Sequence, residues 1–97
     1  MSVIILTRNE ERHIADCLRS VDWADEVIVL DSLSEDRTVG IARSMGAIIH
    51  QRPFLNYADQ RNAALDLVDN DWVFFIDADE RATPELAAEV RRVIAEE

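Results

Sequence analysis

Apolar residues are spaced in two ways along this chain. Four short runs, Val3 to Leu6, Glu26 to Leu30, Ala47 to Ile49 and Trp72 to Ile76, are rich in Val, Ile and Phe and hardly alternate with polar residues. Runs of that kind predict strands covered on both faces, as in a parallel sheet. Between them the apolar positions follow a helical period. Ile14, Cys17, Leu18 and Val21 keep the i, i+3, i+4, i+7 spacing, and Thr38, Ile41, Ala42 and Met45 repeat it. Gly46 stands where a left-handed cap would end that second helix. Ala58, Leu65 and Val68 mark a third helix. The fourth opens on Thr83-Pro84-Glu85, an N-cap, a proline at the first position and an acid in the first turn, with Leu86, Val90, Val93 and Ile94 as its apolar face.

The predicted order is βαβαβαβα. Right-handed crossovers then give an α/β fold, a four-stranded parallel sheet with helices on both faces, and residues 1–97 read as a single domain without linker or repeat. On this pattern Cys17 is a core residue rather than a nucleophile.

In such a sheet, ligands bind beyond the carboxyl ends of the strands. The residues expected at that rim are Thr7, Asn9 and Glu10 after the first strand, Asp31 and Ser32 after the second, His50 to Arg52 after the third and Asp77 to Glu80 after the fourth. Gln60 and Arg61, early in the third helix, approach the same side. The run Trp72-Val73-Phe74-Phe75-Ile76-Asp77-Ala78-Asp79-Glu80 is the most informative, because an apolar strand carries Asp77 and Asp79 to a point where the chain turns. Convergent carboxylates repel, and a hard cation such as Mg²⁺ or Mn²⁺ is the usual offset. The plainer reading is an acidic turn that stops a strand and starts a helix.

Composition narrows the partners. Apolar residues make up 48% and charged residues 31% of the 97 positions, which suits a globular chain. The net charge is −10, with ten arginines and no lysine. Nucleic acid and anionic membrane are poor partners for such a surface. A phosphate ligand meets the same obstacle, since a carboxylate about 4 Å away costs about 4 kcal/mol at an effective dielectric near 20. A bridging cation reverses that sign. One cysteine allows no internal disulfide, and no apolar run reaches the length of a membrane span. With no basic leader before Val3, the expected location is the cytoplasm.

Taken together, Ser2 to Glu11, Trp23 to Ser32, Asp36 to Val39, Gln60 to Asn62 and Asp71 to Leu86 resemble family 2 glycosyltransferases of the GT-A fold, especially the bacterial subgroup acting on the lipopolysaccharide core. The resemblance covers nearly the whole chain, in order. It implies the N-terminal, nucleotide-binding half of that fold, with strand order 3-2-1-4, and a nucleotide-diphosphate sugar, by family habit a UDP-sugar, as ligand. Thr7, Asn9 and Glu10 would line the nucleoside pocket, Asp31 would hydrogen-bond the base, and Arg61 would close over base or ribose. Asp77-Ala78-Asp79 would be the family's DxD motif, Asp77 facing the ribose and the metal's water shell and Asp79 ligating Mg²⁺ or Mn²⁺.

Some positions depart from the family. Leu33 stands where glycine is usual, as do Asn56 and Asn70, and only asparagine tolerates positive φ readily. The family's acceptor half and catalytic base, which inverting transfer to a glycan or lipid-linked acceptor requires, lie beyond the segment this chain covers. Glu89, Glu96 and Glu97 read as solvated helix surface. The expectation is therefore a truncated form that binds donor weakly and transfers sugar poorly or not at all. With the fourth strand at an edge, Val73 to Ile76 would pair with a second copy as a homodimer. Three rivals are weaker. A receiver-like Mg²⁺-binding domain needs a strand-end lysine that is missing here. A haloacid-dehalogenase-type phosphatase has its acidic motif on the first strand. A pure interaction or dimerisation module would have lost the chemistry.

Overall fold

In the computed structural model the apolar runs form four strands, β1 (Ser2–Thr7), β2 (Glu26–Asp31), β3 (Ile48–Gln51) and β4 (Val73–Asp77). The helices are α1 (Ile14–Ser20), α2 (Thr38–Ser44), α3 (Tyr57–Leu65) and α4 (Pro84–Ala95). The structure describes residues 1–68 and 72–96; Asn70, Asp71 and Glu97 lie outside the described residues. All strand pairings are parallel and the order is β3-β2-β1-β4, as expected. The register sets Thr7 beside Asp31 and Leu6 beside Asp77, which brings the ends of three strands to one rim.

Alternation along the strands divides the core in two. Val3, Ile5, Val29 and Ile76 face Ile14, Cys17, Leu18 and Val21, from α1 and the turn after it, together with Ala42 of α2. Ile4, Ile28 and Leu30 point the other way, towards Ala64 of α3. Helices thus cover both faces. Burying one such aliphatic side chain is worth roughly 1.5–3 kcal/mol, so β1, with Val3, Ile4 and Ile5 all fully buried, anchors the sheet.

Local signals explain the helix ends. Gly46 has φ +89 directly after α2. Thr83 Oγ1 accepts from the backbone N–H of Leu86 at 3.0 Å and caps α4 ahead of Pro84. Asn56 corrects the sequence expectation: its φ is −162, in the extended region, and its side chain accepts from the Asp59 N–H at 2.8 Å as the N-cap of α3. Capping rather than positive φ is the use of asparagine there.

Four further expectations change. Leu65 and Ala58 are exposed, and α3 instead buries Ala64 and Gln60. Its inner face is small and polar, with Ala64 against Ile4, Ile28 and Leu30 and Gln60 reaching Ser32 at the rim. Met45 is exposed just past the end of α2. Full burial on both faces holds for β1 but not for the outer strands, where Ile48 is exposed and Phe74 and Phe75 are half-buried. Along α4 only Ala87 is buried, while Leu86 and Val93 remain exposed. Arg91 sets its guanidinium 5.9 Å from the Trp23 ring centre, and Trp23 leans on Phe74 with 6.4 Å between ring centroids. No helix among the described residues is long and apolar enough to cross a membrane.

Candidate functional site

The loops that follow β1 and β2 are laced to each other by polar side chains. Asp31 is the hub. It is 0% exposed, its Oδ1 accepting from Thr7 Oγ1 at 2.6 Å and Ser34 Oγ at 2.5 Å, and its Oδ2 from Ser34 N at 2.7 Å and Gln51 Nε2 at 3.1 Å. Burial pushes this carboxyl up, but the hydrogen bonds from Ser34, Thr7 and Gln51 outweigh it and hold the group below the usual carboxylate range. Asp36 makes a second tie, accepting from Thr38 N at 2.9 Å and Glu11 N at 3.2 Å, while Glu10 N donates to the buried Thr38 hydroxyl at 2.8 Å. Asn9 and Leu33 hold left-handed φ values of 52 and 58 in these loops. Leu33 adopts there the conformation that glycine takes without cost. The Arg8 guanidinium spans the gap to the carbonyls of Ser32 and Leu33.

The loop after β4 is built differently. Glu80 folds back on the strand end, its N–H donating to the Asp77 carbonyl at 2.9 Å and its Oε1 accepting from the Asp77 N–H at 2.8 Å. Ala78 turns into the core and is 2% exposed, so Asp77 and Asp79, on either side of it, both point outwards. No hydrogen bond or ion pair among the described residues engages either carboxylate. Beneath the turn lies Cys17, whose thiol reaches the Asp77 carbonyl at 3.6 Å. Burial first, and the neighbouring acids after it, push that thiol up to about 11 despite Arg81. It stays protonated near neutral pH and behaves as core, as expected.

A cavity of about 910 Å³ opens where these loops meet α3. That volume falls in the range of pockets that enclose small-molecule ligands. Thr7, Glu10, Arg61, Asp77 and Asp79 all line it, as the sequence reading requires. Asn9 and Asp31 do not. Leu30 and Ser32 point to the α3 side of the sheet and Asp31, between them, to the other, so its carboxylate closes the loop scaffold behind the wall. Asn9 is spent on the same scaffold, its Oδ1 accepting from Glu35 N at 2.8 Å. Ser32 occupies the wall where Asp31 was expected.

The sequence reading missed one side of the cavity. Pro53, Phe54 and Tyr57 form a wall from the segment entering α3. Phe54 and Tyr57 are 50% and 70% exposed and meet edge to face, with 5.1 Å between ring centroids at 70°. Aromatic rings left in water beside a cavity are available for stacking; the signal was the PFLNY string, unmatched by any helical period. Arg61 extends over the Phe75 ring at 5.6 Å. The cavity is therefore lined by an arginine, a pair of free carboxylates and an aromatic wall. His13 and His50 contribute nothing to it. Among the described residues there is no cluster of three or more His, Cys, Asp or Glu able to hold a metal by protein atoms alone.

A parallel sheet with a cavity at its carboxyl rim, lined by an arginine and by paired acids at one strand end, defines an α/β domain with a ligand-sized hollow. The glycosyl transferase family 2 model matches residues 2–97, and the chain belongs to that family. A glycosyltransferase of Rickettsia typhi, itself uncharacterised, is 44% identical over 96 residues, covering 98% of this chain and 33% of that protein. Staphylococcus aureus TarS, in a crystal structure with UDP-GlcNAc, superposes with a TM-score of 0.83 at 28% identity, over 98% of this chain and 31% of that one. Glucosyl-3-phosphoglycerate synthase of Mycobacterium tuberculosis, crystallised with Mn²⁺, UDP and glucosyl-3-phosphoglycerate, gives 0.78 at 29% identity, over 91% of this chain and 36% of that one. The chain thus spans about a third of the length of the curated relatives it matches. Its four-stranded sheet has the GT-A fold of these glycosyltransferases.

Proposed function

We propose that the cavity binds a nucleoside diphosphate sugar, a UDP-sugar in the first instance, together with Mg²⁺ or Mn²⁺. The observation that carries this reading is the pair of unengaged carboxylates, Asp77 and Asp79, on the wall of a cavity that also presents Arg61. Two carboxylates are too few for an all-protein cage, but they suit an ion that completes its shell with phosphate oxygens and water. Without such an ion, a diphosphate entering beside them would be repelled. Asp79 and Asp77 would hold the cation. When bound, it would stabilise the charge of a departing nucleoside diphosphate as a Lewis acid. Thr7 and Glu10 border the nucleoside end, and Arg61 offers a guanidinium to ribose or phosphate oxygens. The UDP-GlcNAc in TarS and the Mn²⁺ and UDP in the mycobacterial synthase support the choice of ligand.

This segment then serves donor binding, while inverting transfer to a glycan or lipid-linked acceptor requires a base from elsewhere in the full-length relatives. Calorimetric titration with UDP, with and without Mn²⁺, tests the reading. Metal-dependent heat that disappears in Asp79→Ala is the expected result. Absence of binding at millimolar UDP would overturn it in favour of an interaction module.

β4 lies at the sheet edge, with Val73, Phe74 and Phe75 half-buried. We propose that two copies associate through it. A monomer mass by light scattering at tens of micromolar chain would refute that.

A further inference from the structure

The turn after β4 is fastened from behind by α1. Ala78 and Ala82 are buried in the same cluster as Ile14, Cys17 and Leu18, and Ser20 Oγ accepts from the Ala82 N–H at 3.0 Å. Between these two anchors stands Arg81. Its Nη1 donates to the Ala78 carbonyl at 3.0 Å and the Glu80 carbonyl at 2.7 Å, so one nitrogen ties the residues on either side of Asp79. Its Nη2 lies 3.4 Å from His13 Nδ1 and 4.0 Å from Asp16 Oδ2, which joins the turn to the first turn of α1. An arginine nitrogen only donates, so His13 accepts at that contact. Arg81 and the acids Asp77, Asp79 and Glu80 all act on the Cys17 thiol, which sets this cation among them. Yet its hydrogen bonds go to backbone carbonyls, and Asp77 and Asp79 stay unengaged.

We infer that Arg81 is a positioning residue for the cation: by pinning the carbonyls of Ala78 and Glu80 to α1 it fixes the backbone beneath Asp79, and so the spacing of the two carboxylates. Neither carboxylate has a side-chain partner to hold it, so the backbone under them is what sets their geometry. A small divalent ion demands near-ideal ligand placement, and groups behind the ligands supply it. Arg81 does not line the cavity and acts through Asp79. The inference rests on the metal–diphosphate reading above and assigns the residue that prepares its two ligands. Charge alone predicts the opposite sign, because deleting a cation beside two acids would strengthen their hold on a metal ion. Only a positioning role makes the loss of Arg81 weaken metal binding.

Calorimetric titrations with UDP, with and without Mn²⁺, compare wild type, Arg81→Met, Arg81→Lys and Arg92→Met. The last removes the same charge from α4, where Arg92 pairs only with Glu89 and Glu96. The quantity compared is the gain in UDP affinity that Mn²⁺ brings. It should fall about five- to tenfold in Arg81→Met, the loss of charge-assisted bonds to two carbonyls, while affinity without Mn²⁺ stays within about twofold. Arg81→Lys keeps the charge but not the planar fork, and should lose about threefold. Arg92→Met should change the gain by less than about twofold. In the metal-free chain, amide exchange across residues 77–82 should run at least about fivefold faster in Arg81→Met. Should that variant fail to fold, Arg81→Lys decides in its place. A gain that is unchanged or larger in Arg81→Met, or a lysine variant equal to wild type, would overturn the positioning role while leaving the metal–diphosphate reading standing. A wild-type chain whose UDP binding ignores Mn²⁺ would overturn both.

Discussion

The two sides of the cavity rim use acids in opposite ways. After β1 and β2, Asp31 and Asp36 accept hydrogen bonds from backbone N–H groups and from hydroxyl or amide side chains, and the loops they join are held shut by them. After β4, Glu80 alone does that work, and Asp77 and Asp79 face the cavity with no partner among the described residues. The same residue type is thus scaffold on one side and exposed charge on the other. Buried polar groups must be satisfied within the fold; only acids released from that demand remain for a ligand.

Substitutions should separate the two sides most clearly in stability. Asp31→Ala leaves the Ser34 N–H and the side chains of Thr7 and Gln51 without their acceptor, and should cost about 3 kcal/mol or more. The thermal midpoint should then fall by about 12 °C or more. Acid should act through the same scaffold. Asp31 and Asp36 are both held below their ordinary values, so each stabilises the fold above the unfolded carboxyl range near 4, and that contribution is lost as pH falls through the depressed values. Urea midpoints should therefore drop as pH falls below about 4, and the drop should be shallower in Asp31→Asn.

A smaller effect is expected at Leu33. Leu33→Gly relieves a left-handed backbone worth about 1–2 kcal/mol but loosens the unfolded chain by about 0.5–1 kcal/mol, a net gain of about 0.5 kcal/mol by chemical denaturation. The smallest change belongs to the β4 side. Asp79→Ala should shift stability by less than about 0.5 kcal/mol, since it deletes no contact, although it should abolish metal-dependent UDP binding. An Asp79→Ala chain as unstable as Asp31→Ala would erase the distinction between the two sides.

Much of the fold could be read from residues alone because its signals are local. The dense aliphatic runs, the Gly46 stop and the Thr83-Pro84 start depend only on neighbours in the chain, and each lies where expected. At α3 the reading went to the wrong face. Its inner surface is Gln60 and Ala64, which no hydrophobic period reveals, because Ala64 seats on the Ile4, Ile28 and Leu30 face while Gln60, one turn earlier, reaches Ser32 at the rim.

For the site, the sequence alone determined which strand ends carry acids and that Asp77 and Asp79 flank a small residue. Strand alternation and composition are properties of the chain itself. Only the tertiary structure decided that Asp31 closes a scaffold while Ser32 faces the cavity, that Phe54 and Tyr57 join its lining, and that Gln60 reaches Ser32 across 28 positions. Those relations depend on how the loops and α3 meet in space, and the satisfaction of each polar group is settled by neighbours distant in sequence.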